Sequence, residues 1–74
     1  MWSIKNVEMN GINYKCEVKH YEEPSQFGID GGKISKLFIK DGFKVLCGYD
    51  REWFRKPTDE TVKAIFNQLV EEFN

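Results

Sequence analysis

The dipeptide Asn10-Gly11, set between two stretches of alternating polarity, constrains this chain more tightly than any other feature. A two-residue type I′ loop needs positive φ at both central positions, and Asn-Gly takes that conformation at little cost. It predicts a hairpin with arms at residues 3–9 and 12–21. In the second arm Ile12, Tyr14, Cys16 and Val18 share one face, while Asn13, Lys15, Glu17 and Lys19 share the other. That is the pattern of a sheet covered on one side only. In the first arm Trp2 and Ile4 share a parity that Val7 and Met9 do not, which predicts a bulge or a late strand start around Lys5-Asn6.

A second hairpin is expected at Asp41-Gly42, with strands at residues 33–40 and 43–49. Phe43, Val45, Cys47 and Tyr49 then point one way, and Lys44, Leu46 and Gly48 the other. Leu37 and Ile39 are the matching inward pair, Lys36, Phe38 and Lys40 face outward, and Ile34 is out of step, as at a bulge. Residues 24–37 join the two hairpins and hold three of the six glycines and one of the two prolines, so the backbone is bent there and brought close to something. After a connection at residues 50–57, Thr58 reads as a helix N-cap with Asp59 and Glu60 in the first turn. Val62, Ile65, Phe66, Leu69, Val70 and Phe73 then form one helical stripe. The predicted architecture is α+β: a four-stranded antiparallel meander of two hairpins with one C-terminal helix packed on one face.

Seventy-four residues allow one domain, spanning 1–74, near the size at which a single core only just offsets chain entropy. A homodimer is compatible with that size. The 31% charged fraction is split between 11 basic and 12 acidic residues, so the net charge of −1 gives no global attraction to nucleic acid or anionic lipid. The opening Met1-Trp2-Ser3-Ile4-Lys5-Asn6 has no apolar leader segment, and no apolar run reaches membrane-span length. No membrane association and a cytoplasmic location are the expectations. Cys16 and Cys47 lack metal-type spacing. In a simple meander their strands are separated by a third and stand about 9.5 Å apart, too far for a disulfide, so both are expected as free thiols.

Gly28-Ile29-Asp30-Gly31-Gly32-Lys33-Ile34-Ser35 invites comparison with a phosphate-binding loop and does not match one. Its framing glycines are one residue too close, Ile34 separates the lysine from the hydroxyl, and a strand follows instead of a helix. His20, the only histidine, reads as a solvated strand terminus, and neither Ser25 nor Ser35 has a histidine near it in sequence. No catalytic residues, metal ligands or cofactor are implied, and the chain is expected not to be an enzyme. Two candidate surfaces remain. Residues 33–56 carry seven basic residues against three acids, and the predicted parities put Lys15, Lys19, Lys36, Lys40 and Lys44 around Phe38 and Leu46 on the sheet face away from the helix. Such a face can stack bases and neutralise phosphates, although a solvated lysine face that guards against edge pairing is the commoner use. The stretch Tyr49, Asp50, Arg51, Trp53 and Phe54 has the composition of a binding loop. It also suits a structural role, with Trp53 closing the gap between sheet and helix and Asp50 accepting from backbone N–H groups of residues 27–35.

Pro24-Ser25, Phe27-Gly28-Ile29, Gly32 and Ile34-Ser35-Lys36-Leu37, followed by Tyr49-Asp50-Arg51 and Trp53, resemble the signature of short uncharacterised proteins encoded by phages and mobile elements of Gram-positive bacteria. The resemblance covers the middle half of the chain; that family commonly has glycine where Glu52 stands. It implies a small accessory protein of a mobile element and nothing catalytic. The expected function is a non-enzymatic protein–protein interaction module. The alternative is a nucleic-acid-binding accessory protein using the lysine-rich face.

Overall fold

A computed structural model describes residues 1–74. Asn10 and Gly11 take φ of 55° and 78°, as the type I′ turn demands, and join β1 (Trp2–Met9) to β2 (Ile12–His20). The pairing runs from Trp2 opposite Lys19 to Met9 opposite Ile12 without a break. The bulge expected at Lys5-Asn6 is therefore absent. The parity conflict is real, and it resolves by leaving Trp2 and Ile4 on the uncovered face, 50% and 61% exposed.

Residues 21–33 then cross to β3 (Ile34–Asp41), which pairs antiparallel with β2. A register shift between Lys19 and His20 brings Ile34 opposite His20 and buries it, so the expected irregularity at Ile34 is present. The next turn is made by Gly42 and Phe43, not by Asp41-Gly42. Gly42 has φ of 61° at the first loop position, and Asp41 pairs with Lys44 as the last rung. Phe43, expected inside, consequently sits in the turn, fully exposed.

Strand β4 (Lys44–Asp50) carries a second irregularity, because Ile39 pairs with Cys47 but Lys40 pairs with Val45. The extra residue, Leu46, packs against the core, while Val45 shares the face of Lys40. The expected parities of Val45 and Leu46 are thus exchanged. A fifth strand, β5 (Trp53–Arg55), adds antiparallel to β4 where a plain connection was expected. The sheet is a meander of order β1-β2-β3-β4-β5.

Helix α1 (Glu60–Phe73) is capped one residue later than expected. Asp59, not Thr58, accepts from the N–H groups of Thr61 and Val62 at 2.7 and 3.2 Å. Its Val62, Ile65 and Leu69 are buried against Tyr14, Cys16, Val18, Leu37, Ile39, Cys47 and Tyr49 of the sheet. Burying these apolar side chains is what holds the helix on the sheet. The fold is α+β with one covered and one open sheet face.

The crossing at residues 24–33 is closed by its own backbone and by the far end of α1. The carbonyls of Gly32 and Ile29 accept from the N–H groups of Ser25 and Gly32 at 2.9 and 2.8 Å. A Cβ on Gly28 would lie 2.0 Å from the Gly32 carbonyl oxygen, so only glycine allows this approach. Asn74 then plugs the loop. Its Oδ1 accepts from Lys33 and Ile34 at 2.9 and 3.1 Å, and its Nδ2 donates to the Ile29 carbonyl at 2.9 Å.

Candidate interaction face

The residues of the predicted aromatic loop do not form one surface, because strand alternation across β4 and β5 sends them to opposite sides. Tyr49 is buried, and its hydroxyl donates to the Phe27 carbonyl at 2.9 Å. Desolvation, reinforced by the charge of Asp30, pushes its ionisation above the usual tyrosine range. Trp53 packs edge-on to Tyr49 at 5.1 Å and against Phe66 of α1 at 5.3 Å, filling the gap between sheet and helix. Arg51 takes φ of 61° in the tight β4–β5 turn and donates its backbone N–H to the Ser35 carbonyl at 2.9 Å. The segment therefore does touch the glycine crossing, through Tyr49 and Arg51. Asp50 does not cap it. Its carboxylate lies on the open side, 3.7 Å from the Lys36 ammonium.

Phe54 joins the other candidate surface. On the open face the strand register sets residues in rows: Trp2, Lys19, Lys36 and Asp50; then Ile4, Glu17, Phe38 and Gly48; then Asn6, Lys15, Lys40 and Val45. The Phe54 ring lies over Gly48, where a Cβ would come within 2.1 Å of it, and meets the Phe38 ring at 5.8 Å. A broken apolar band thus crosses the sheet from Trp2 and Ile4 to Phe38 and Phe54. Lys15, Lys19, Lys36 and Lys40 flank it. Lys44, expected among them, is out of step with Lys40 because of the β4 irregularity and pairs with Asp41 at the hairpin end.

Glu17 interrupts the band at its centre. Its carboxylate receives Lys40 at 2.8 Å and Lys15 at 3.7 Å, and the Lys40 hydrogen bond holds its ionisation below the usual glutamate range. Lys40 also stands 5.9 Å over the Phe38 ring. Two carboxylates, Glu17 and Asp50, therefore offset part of the charge of the four lysines.

The possible reaction chemistry of the chain lies elsewhere. Cys16 and Cys47 are free and fully buried, and desolvation raises their thiols to about 11 and about 12. They flank Ile39 in one row of the sheet, which is why they do not meet. His20 is half-buried instead of solvated. Its ring packs on Phe73 at 5.0 Å, and its Nε2 lies 3.2 Å from the Ser3 hydroxyl. The serine that meets the histidine is thus Ser3, brought alongside by the β1–β2 pairing; hairpin register was the signal that could have found it. No carboxylate hydrogen-bonds the ring's other nitrogen, so nothing orients the imidazole as a base. No three His, Cys, Asp or Glu side chains converge as metal ligands would. No helix is long and apolar enough to cross a membrane.

These features define a small α+β protein whose helix covers one sheet face and leaves an apolar, lysine-flanked face open. The chain belongs, over residues 1–74, to the family described as a domain of unknown function, DUF7678. No curated protein and no solved structure matches it.

Proposed function

We propose that this protein is a non-enzymatic interaction module that grips an acidic, partly apolar segment of a partner protein on the open face of its sheet. The observation that carries the reading is the band of Trp2, Ile4, Phe38 and Phe54 flanked by four lysines. Exposed apolar side chains on a sheet face gain most by being covered, and the lysine rim selects a partner that brings carboxylates. The resemblance to accessory proteins of phages and mobile elements supports the same non-catalytic role, for which we propose the cytoplasm as the location.

A protein partner is preferred over nucleic acid because of Glu17. Aromatic rings among lysines suit stacked bases, yet a strand crossing the face from Phe54 to Ile4 would run over an ionised carboxylate already neutralising Lys40. A photo-crosslinker in place of Lys15 tests the proposal in the cells that encode the chain. The expected adducts are protein, map to acidic segments, and disappear with Phe54→Ala or with Lys36→Glu and Lys40→Glu combined. Adducts to nucleic acid, with oligonucleotide binding that falls steeply with salt, would establish the alternative.

A further inference from the structure

The two edges of the sheet are finished differently. On one side β5 is three residues long, too short to offer much backbone to a neighbour. On the other, β1 runs eight residues with no bulge and no proline. Met1 and His20 exchange both backbone hydrogen bonds, at 3.0 and 3.1 Å, and the β1–β2 register continues unbroken from that pair. In an antiparallel ladder such closely bonded pairs alternate, so Ser3, Lys5, Val7 and Met9 turn their backbone groups toward β2. Trp2, Ile4, Asn6 and Glu8 therefore direct theirs to the free edge.

The usual guard on such an edge is an inward-pointing charge, and Lys5 occupies that position. Here the guard is disarmed. Lys5 forms an ion pair with Glu72 of α1, so its charge is answered from within the same chain. The buried stripe of α1 packs mainly over β3 and β4, and its contacts with β1 and the turn after it, through Glu72 to Lys5 and Thr61 to Asn10, are made by side chains and leave the outward backbone groups of Trp2, Ile4, Asn6 and Glu8 unbonded.

We propose that β1 is a dimerisation edge and that its occupant is the β1 strand of a second copy, paired antiparallel to make one continuous ten-stranded sheet. Because only the even-numbered residues present backbone groups, they must pair with even-numbered residues of the other copy. Paired residues share a face, so the two open faces fall on the same side of the joint sheet.

Among the registers left, centring on Lys5 would set two lysines opposite one another, which is unfavourable. Centring on Asn6 would put Ile4 opposite Glu8 of the other copy. Centring on Ile4 sets the two Ile4 side chains together, with Trp2 of each copy diagonal to them and opposite Asn6 of the other. That register covers the two most exposed apolar residues of β1, forms about six backbone hydrogen bonds, and opposes no like charges. A segment of this size near the lower limit for an independent core also gains from the added burial. The inference does not depend on what the open face binds.

An edge contact alone is a small interface, so the dimer is expected to be weak and is sought at concentrations up to about 1 mM. Analytical ultracentrifugation of the intact chain should show concentration-dependent dimers. Hydrogen exchange followed by NMR should show the Ile4 and Asn6 amides slowed by about tenfold or more as the dimer fills, with the Glu8 amide still exchanging freely. Asn6→Pro, which removes an edge-facing N–H that β2 does not use, and Ile4→Lys, which sets like charges together, should each give a monomer. A chain that stays monomeric across this range overturns the proposal. So does a dimer that survives both substitutions, or one that protects Glu8 and leaves Ile4 free.

Discussion

One side-chain amide, that of Asn74, makes three hydrogen bonds to the glycine crossing, and a Cβ on Gly32 would run into it. Removing it leaves the N–H groups of Lys33 and Ile34 without a protein partner, while the Ile29 carbonyl keeps the bond from Gly32. Asn74→Ala is therefore expected to cost about 1–3 kcal/mol in chemical denaturation. Asp50→Ala should change stability by less than about 0.5 kcal/mol, since its carboxylate reaches only Lys36 and Arg51 at the surface. Equal losses from the two substitutions would contradict this division. Glu17 adds a pH dependence of defined sign. With its ionisation held down by Lys40 from the ordinary 4.5, the pair stabilises the fold fully above that pH and loses its contribution as pH falls through the lower folded value. Glu17→Gln should flatten the fall of the urea midpoint as the pH drops below 4.5. An unaltered acid limb would show that the Lys40 contact carries no net stability.

At the scale of elements, α1 supplies most of the cover for the inner sheet face, with Ile29 of the crossing adding to it. Leu69, fully packed between helix and sheet, should cost about 2–5 kcal/mol when cut to alanine, a large share of what a domain this small has. A melting temperature within a degree or two of the parent would mean that the helix is not held by this stripe. The helix, the first hairpin and the strand order were legible because each is written in local periodicity or in one turn dipeptide. The misreadings cluster where tertiary pairing overrides alternation. Alternation sets the second turn one residue early and so sends Phe43 to the core, and the β4 irregularity exchanges Val45 with Leu46 and takes Lys44 off the lysine face. Strand β5 is three residues in a charged stretch, and its signal is pairing with β4, which no local pattern encodes. The lysine face itself, apart from Lys44, was legible from alternation in β2 and β3. Its apolar partners Trp2 and Ile4 were visible only as a parity conflict.

Across the whole molecule, each strand lies beside the one before it, so the sheet forms from contacts close in sequence. The contacts made by α1 are longer in range, and one of them, the bond between Asn74 and Ile29, 45 residues apart, ties the end of α1 to the loop between the hairpins. That tie has a consequence for the order of events in folding. Asn74 can reach the crossing only after α1 has docked and after Gly28 and Gly32 have closed on each other, so its bonds should be among the last made and the first broken. In stopped-flow measurements Asn74→Ala should accelerate unfolding and leave the refolding rate nearly unchanged. A slowed refolding limb with an unchanged unfolding limb would instead place the tie inside the folding nucleus. On the expected outcome, the lifetime of the native state is set from one residue at the far end of the helix, while the speed of reaching that state is set in the hairpins.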